Sequence, residues 1–351
     1  MNLADRLRAR IANDGPMPLS DYMSACLLDP AEGYYVTRDP LGSAGDFVTA
    51  PEVSQMFGEL LGLSLAQAWL NQGAPSPVTL AEPGPGRGTL MADILRATRG
   101  VPGFHAAAQV HLVEASPTLR AAQATRVPQA TWHDRLDTLP QQPLFLVANE
   151  FFDALPIRQF QRDGTNWRER VVGLRDDRLT LGLTDPTPHA TLAHRLADTR
   201  DGDIVEICPT LAPAASAIGE RISAHGGAAL IIDYGDWTSL GDTFQAVQGH
   251  RIVDPFADPG QADLTAHVDF NALAAAAAPA RHSRVTPQGV FLERLGITAR
   301  AQALAGRLTG SAQEALVAAH RRLTHPAEMG DHFKVMGLFP DTQAPPPGVM
   351  Q

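Results

Sequence analysis

A doubly wound α/β fold built on a mostly parallel sheet is what this 351-residue sequence predicts. Three stretches carry the prediction: AEPGPGRGTL (81–90) between an apolar run and a helical one, QVHLVE (109–114) ending on an acid, and LFLVA (144–148) running into NEFFD. Short apolar runs that alternate with segments of helical spacing are the pattern of strands buried on both faces and joined by crossover helices.

Residues 1–72 precede that pattern and read as an N-terminal helical cover, leaving 73–351 for the sheet domain. Leu3, Leu7 and Ile11 share one helical face. Thr49 to Glu52 spells TAPE, a capping box before a helix carrying Val53, Met56, Phe57, Leu60 and Leu61, so local capping is the plain account of Thr49 and Glu52. Before it, Asp46 and Phe47 stand in the loop GSAGDF, read either as a flap over a ligand pocket or as a plain connection.

The run PVTLA is the first strand and TLMADILRATR the helix after it, so Gly84, Gly86 and Gly88 lie on a strand-to-helix turn. Glycines there admit backbone angles closed to other residues and let a ligand meet the first N–H groups of the helix. A nucleotide-like group suits such a turn. No Lys follows Gly88, which excludes the nucleoside-triphosphate loop, and Thr89 stands where the dinucleotide fingerprint needs its third glycine. Glu82, at the end of the first strand, would repel a pyrophosphate and suits a cationic amino-acid ligand. Glu114, ending the second strand, is placed to accept from ribose hydroxyls, and Asp134, with Trp132 and His133, falls where an adenine is usually bordered; a surface loop with one packed Trp is the alternative.

Asn149, Glu150 and Asp153 follow the next strand, at the carboxyl edge where open α/β sheets bind ligands. If 150–153 turns helically, the two carboxylates share a face and can grip one guanidinium; charge stabilisation of a helix N-terminus is the competing account. From Ile157 to Leu183 the pattern changes to short alternating segments with turns at Asp163-Gly164 and Asp176-Asp177, an antiparallel meander inserted over about 155–200 and added to the main sheet. Residues 210–225 read as a helix and Gly227 to Asp233 as a further core strand, with Asp233 and Tyr234 at its carboxyl end, lining the acceptor site or merely solvated. In ADLTAHVDF, Asp269 reads as an N-cap, while His267 is either a packing residue or a group that orients substrate or takes up a proton. His325, His332, Glu328 and Asp331 match no zinc spacing, so no metal is expected.

The E-x-G-x-G-x-G turn resembles the first motif of Rossmann-like class I methyltransferases that use S-adenosylmethionine, whose ammonium and sulfonium suit an acidic strand end. More specifically, GDFVTAPEVSQMFGELL (45–61), AEPGPGRGTL, ANEFFDALP (148–156), IIDYG (231–235), ADLTAHVDF (262–270) and MGDHFKVM (329–336) resemble the MidA-like family. That family comprises the mitochondrial complex I assembly arginine methyltransferase and its bacterial relatives. Pro83 departs from the Leu common in the family. The resemblance implies S-adenosylmethionine as cofactor, bound by Glu82, Gly84, Gly86, Gly88, Glu114, Asp134 and Asn149. It also implies a protein arginine as acceptor, in a subunit of respiratory complex I or its bacterial counterpart, with Glu150, Asp153 and His267 as catalytic candidates. A methyltransferase for small molecules and a non-catalytic assembly factor remain open beside it.

Composition agrees with an enzyme of this kind. With 44% hydrophobic and 19% charged residues the chain can bury a large core, and the formal charge of −10 disfavours nucleic acid and admits a basic peptide. Cys26 and Cys208 are the only cysteines, so a reducing compartment is the direct reading. No run reaches membrane-spanning length and the first residues lack a signal-peptide core, so the expected location is the bacterial cytoplasm. Oligomeric state is not legible.

Overall fold

The computed structural model describes residues 1–37 and 48–350. The loop GSAGDF, expected as a flap, lies outside the described residues. The main sheet is built on β1 (Val78–Pro83), β2 (Ala108–Val113), β3 (Thr131–His133), β4 (Leu144–Asn149), β5 (Gly227–Asp236) and β6 (Phe333–Phe339), in the order β6-β5-β4-β1-β2-β3. Neighbours are parallel except β6, which runs antiparallel to β5. Every residue of β1 and β4 is buried, which is why these strands read as unbroken apolar runs.

Side chains alternate between two cores. Leu80, Val147, Leu230 and Ile232 pack with Met56, Phe57, Leu61 and Leu65 of a long helix Gln55–Asn71 and with Leu90, Met91 and Ile94 of the helix Thr89–Ala97. Ala81, Leu146, Ala148 and Ile231 pack with Leu211, Ala215, Ile218 and Ile222 of the helix Leu211–His225. Each fully buried Leu or Ile in these layers contributes roughly 1.5–3 kcal/mol of apolar transfer free energy.

The order places a switch point between β1 and β4. Chain direction from β1 leads outward to β2 and β3, and from β4 to β5 and β6, so the turns after β1 and β4 part and leave a crevice between them.

Three expectations need correction. The meander does not extend the main sheet: Arg158–Asp163, Asn166–Arg175 and Arg178–Leu183 form a separate sheet with Ile204–Ile207, past the expected end near 200, and with Met17–Pro18 on its other side. The two turns fall where the sequence put them, with Gly164, Asp176 and Asp177 at positive φ. Second, residues 1–72 divide between layers. Leu3, Leu7 and Ile11 join Tyr22, Met23 and Leu27 against Val172 and Leu179 of the inserted sheet, whereas the helix Gln55–Asn71 covers the main sheet. Third, TAPE is not a capping box. Thr49 makes no cap bond to the short helix Ala50–Val53, Ser54 breaks it in an extended conformation, and the Ser54 side chain caps the long helix by accepting from Met56 N–H.

The helix Leu211–His225 crosses close to its neighbour at Gly219, where an added Cβ would stand 1.9 Å from the Ala277 carbonyl oxygen. Gly219→Ala is therefore expected to lower stability by about 2 kcal/mol or more through overpacking, read as a fall in the urea midpoint; an unchanged midpoint would contradict this packing.

Candidate functional site

The carboxyl ends of β1, β4 and β5 open on one cavity of about 1470 Å³. That exceeds the roughly 300–1,000 Å³ of a single small-ligand pocket and leaves room for two reactants. The glycine turn lines one half and the segment after β4 the other.

In the first half, Gly84, Gly86 and Gly88 have φ of 60°, 52° and 80°, the left-handed conformation that glycine adopts without strain. A Cβ on Gly84 would stand 3.1 Å from the Phe151 ring, so this glycine also lets the two halves close together. Glu82 is buried, and its Oε2 has no hydrogen-bond partner among the described residues. Burial pushes its carboxyl up to about 8, against a hydrogen bond from Met91 N–H that favours the anion. Glu114, also buried, accepts from Ser116 N–H at 2.8 Å and from the Gln123 amide at 3.1 Å; burial raises its pKa and these bonds oppose the rise.

Gln123 joins this half together. It is fully buried, and its Nε2 also donates to the Gly86 carbonyl at 2.7 Å while its Oε1 accepts from Trp132 Nε1 at 2.8 Å. The sequence reading missed it. The available signal was a Gln four residues after Leu119 on the inward face of the helix Pro117–Arg126, where an apolar residue is the norm. Asp134 lines the cavity with its carboxylate 83% exposed and is tied to Arg120 at 2.5 Å.

In the second half, Asn149 ends β4 and donates its amide to Glu150 Oε1 at 2.8 Å; its buried Oδ1 has no partner among the described residues. Glu150 and Asp153 do not share a helical face, since no helix forms there. Glu150 instead takes φ of 51°, strained for a side chain of its size, and residues 152–155 follow as bends and turns. The absence of a helix at this point also removes the helix-terminus account of the pair. Asp233, fully buried at the carboxyl end of β5, holds the turn: its Oδ2 accepts from Phe152 N–H at 3.0 Å and Asp153 N–H at 3.2 Å. Strand-end solvation of Asp233 is thereby ruled out.

Burial first, then the charge of Asp153, pushes the Glu150 carboxyl up to about 7, with Asn149 and Ala50 N–H opposing. Burial also raises Asp153, whose Oδ1 has no partner among the described residues, while the Tyr234 hydroxyl beside it favours the anion. Asp263 stands on the same wall, accepting from the Tyr35 hydroxyl at 2.7 Å. No described basic side chain pairs with Glu82, Glu150, Asp153 or Asp233. His267 is set apart from this floor, exposed at the cavity mouth with its ring edge against Tyr234 at 5.6 Å. Partial desolvation of the ring, then His332 and Lys334, hold it below the usual histidine range. Asp269 caps the next helix through Ala272 N–H, as read from sequence.

Comparison with known proteins supplies the context. Residues 60–287 match the model of a family described as S-adenosyl-L-methionine-dependent methyltransferases. The chain is 36% identical over 388 residues to the mitochondrial protein arginine methyltransferase NDUFAF7 homolog of Drosophila melanogaster, covering 98% of this chain and 86% of that one. It is 35% identical over 366 residues to the human mitochondrial protein arginine methyltransferase NDUFAF7, covering 95% and 82%. A superfamily member from Burkholderia thailandensis, crystallised with S-adenosyl-homocysteine, superposes with a TM-score of 0.82 at 31% identity, over 96% of this chain and 91% of that chain. These curated relatives are mitochondrial proteins, which overturns the expectation of a cytoplasmic location.

Gln123→Ala should free Glu114 and the Gly86 carbonyl together, weakening calorimetric binding of S-adenosylhomocysteine about tenfold or more. Undiminished affinity would show that the Gln123 bridge plays no part in the ligand site.

Proposed function

Because this chain belongs to the S-adenosyl-L-methionine-dependent methyltransferase family that includes the NDUFAF7 proteins, the MidA-like family, we propose that it methylates arginine in a protein, with Glu150 and Asp153 gripping the acceptor. It is an S-adenosylmethionine-dependent methyltransferase with a class I fold. The observation that carries the arginine reading is the pair of raised carboxylates, Glu150 and Asp153, facing one cavity with no described basic side chain paired to either. The names of the relatives support the same acceptor, and the MidA-like resemblance supports a subunit of respiratory complex I as the protein that carries it.

The residues of the first half suit the cofactor. The unpartnered Glu82 Oε2 and Asn149 Oδ1 are buried polar atoms that lack a donor, and the amino-acid end of the cofactor brings one. We assign Gly84, Gly86 and Gly88 to its close approach, Glu114 to the ribose hydroxyls and Asp134 to the edge of the adenine. Bound there, S-adenosylmethionine supplies a methyl group made electrophilic by its sulfonium.

The chain's own residues do the rest. A guanidinium is cationic and a poor nucleophile. Glu150 and Asp153 orient it through its N–H groups, draw its positive charge toward the nitrogens they hold, and leave the remaining nitrogen free to attack. The methylated nitrogen releases one proton, and a carboxylate raised toward neutrality is matched to receive it. Asp233 acts on this step through the backbone of Phe152 and Asp153. His267, at the mouth, passes the proton on to solvent.

Glu150→Gln is expected to lower labelled methyl transfer into a cognate extract by about 100-fold or more while S-adenosylhomocysteine still binds; retained turnover would remove Glu150 from the role. Mass spectrometry of the labelled band identifies protein and residue together. The anionic form of Glu150 is the one that pairs with guanidinium, so kcat/KM for the acceptor should fall as pH drops through about 7 and level off above it. A flat profile between about pH 6 and 8.5 would contradict the assignment.

A further inference from the structure

The segment from Val48 to Val53 has been accounted for neither as a helix cap nor as part of the acceptor site. It is held on three sides: Thr89 Oγ1 donates to Glu52 Oε1 at 2.6 Å, Ala50 N–H donates to Glu150 Oε1 at 3.4 Å, and Arg322 donates to the Val48 carbonyl at 3.5 Å. Thr89 is the first residue of the helix after the glycine turn, so the Glu52 carboxylate is brought to that turn from 37 residues upstream. Glu52 lines the cavity together with Glu82, Gly84 and Gly86. Its Oε1 is engaged by Thr89, and its Oε2 accepts from no described group.

Two carboxylates thus stand at the glycine turn, Glu52 and the buried Glu82, with no described basic residue paired to either. S-adenosylmethionine carries an ammonium and a sulfonium against one carboxylate, a net positive charge that suits an acidic surround. We propose that Glu52 is a cofactor-positioning residue, holding the ammonium of the amino-acid end from the side opposite Glu82. Thr89 fixes the carboxylate in place by occupying one oxygen and leaving the other free. The position that disqualifies the turn as a dinucleotide site, Thr in place of glycine, thereby acquires a use. The proposal rests on the cofactor alone and stands whatever the methyl acceptor is.

The test compares two ligands on one variant by calorimetry. Methylthioadenosine shares the adenosine and the sulfur of S-adenosylhomocysteine but lacks its amino-acid end. Glu52→Gln keeps an oxygen for the Thr89 hydroxyl and removes the charge. It should bind S-adenosylhomocysteine about tenfold or more weakly, the loss of one charge-assisted hydrogen bond, and methylthioadenosine as the unaltered protein does. Methylthioadenosine binding reports at once that the variant is folded. Equal losses for both ligands would make Glu52 a structural support of the turn, and unchanged affinity for both would leave it outside the site; either result overturns the proposal.

Discussion

Uncompensated negative charge at the carboxyl edge of the sheet is the constraint on which the rest of the structure turns. Glu82, Glu150, Asp153 and Asp233 gather around the ends of β1, β4 and β5, and burial raises every one of them. An anion removed from water is costly unless it is protonated, hydrogen-bonded or paired. The protein hydrogen-bonds Asp233 with three backbone N–H groups, and an oxygen of Glu82 and one of Asp153 have no partner among the described residues. The carboxylate that shapes the turn, Asp233, is satisfied by backbone N–H groups, and Glu150 accepts from Asn149 and Ala50. Glu82 and Asp153 face the cavity, where cations are the natural completion.

Topology makes that concentration of charge tolerable. Strands buried on both faces supply apolar packing on either side of the sheet, and the switch point between β1 and β4 sends the two flanking turns apart. The donor and acceptor halves therefore sit on adjacent strands without sharing a loop. At Gly84 the first half comes close against Phe151 of the second. The N-terminal residues add a second link, since the stretch from Val48 to Val53 reaches Thr89 in one half and Glu150 in the other.

The core strands were legible because burial on both faces writes a continuous apolar run, and the glycine turn because few other residues accept its backbone angles. Glu114, Asn149 and Glu150 were legible as residues at strand ends. What escaped was whatever depends on partners distant in sequence. Gln123 is an unremarkable polar residue until the fold places it between Gly86 and Glu114. Glu52 fits a capping box until the structure shows Thr49 making no cap bond and the Glu52 carboxylate accepting from Thr89. The inserted strands were read at their true turns but assigned to the wrong sheet, because alternation of side chains specifies pairing and not which sheet the pair joins. His267 was read from its residue type alone, which does not specify depth; the fold sets it at the mouth against Tyr234.

Glu150 holds a left-handed backbone angle that glycine would adopt at no cost. At this one position the backbone favours glycine, while the role proposed for the side chain needs a carboxylate. The strain is small beside the stability of the whole domain, and if Glu150 acts on the acceptor as proposed, a lineage that lost its substrate would be free to relax it. The residue at 150 thus doubles as a historical marker: in homologous chains, a glycine or asparagine there would identify copies that kept the fold after giving up the reaction.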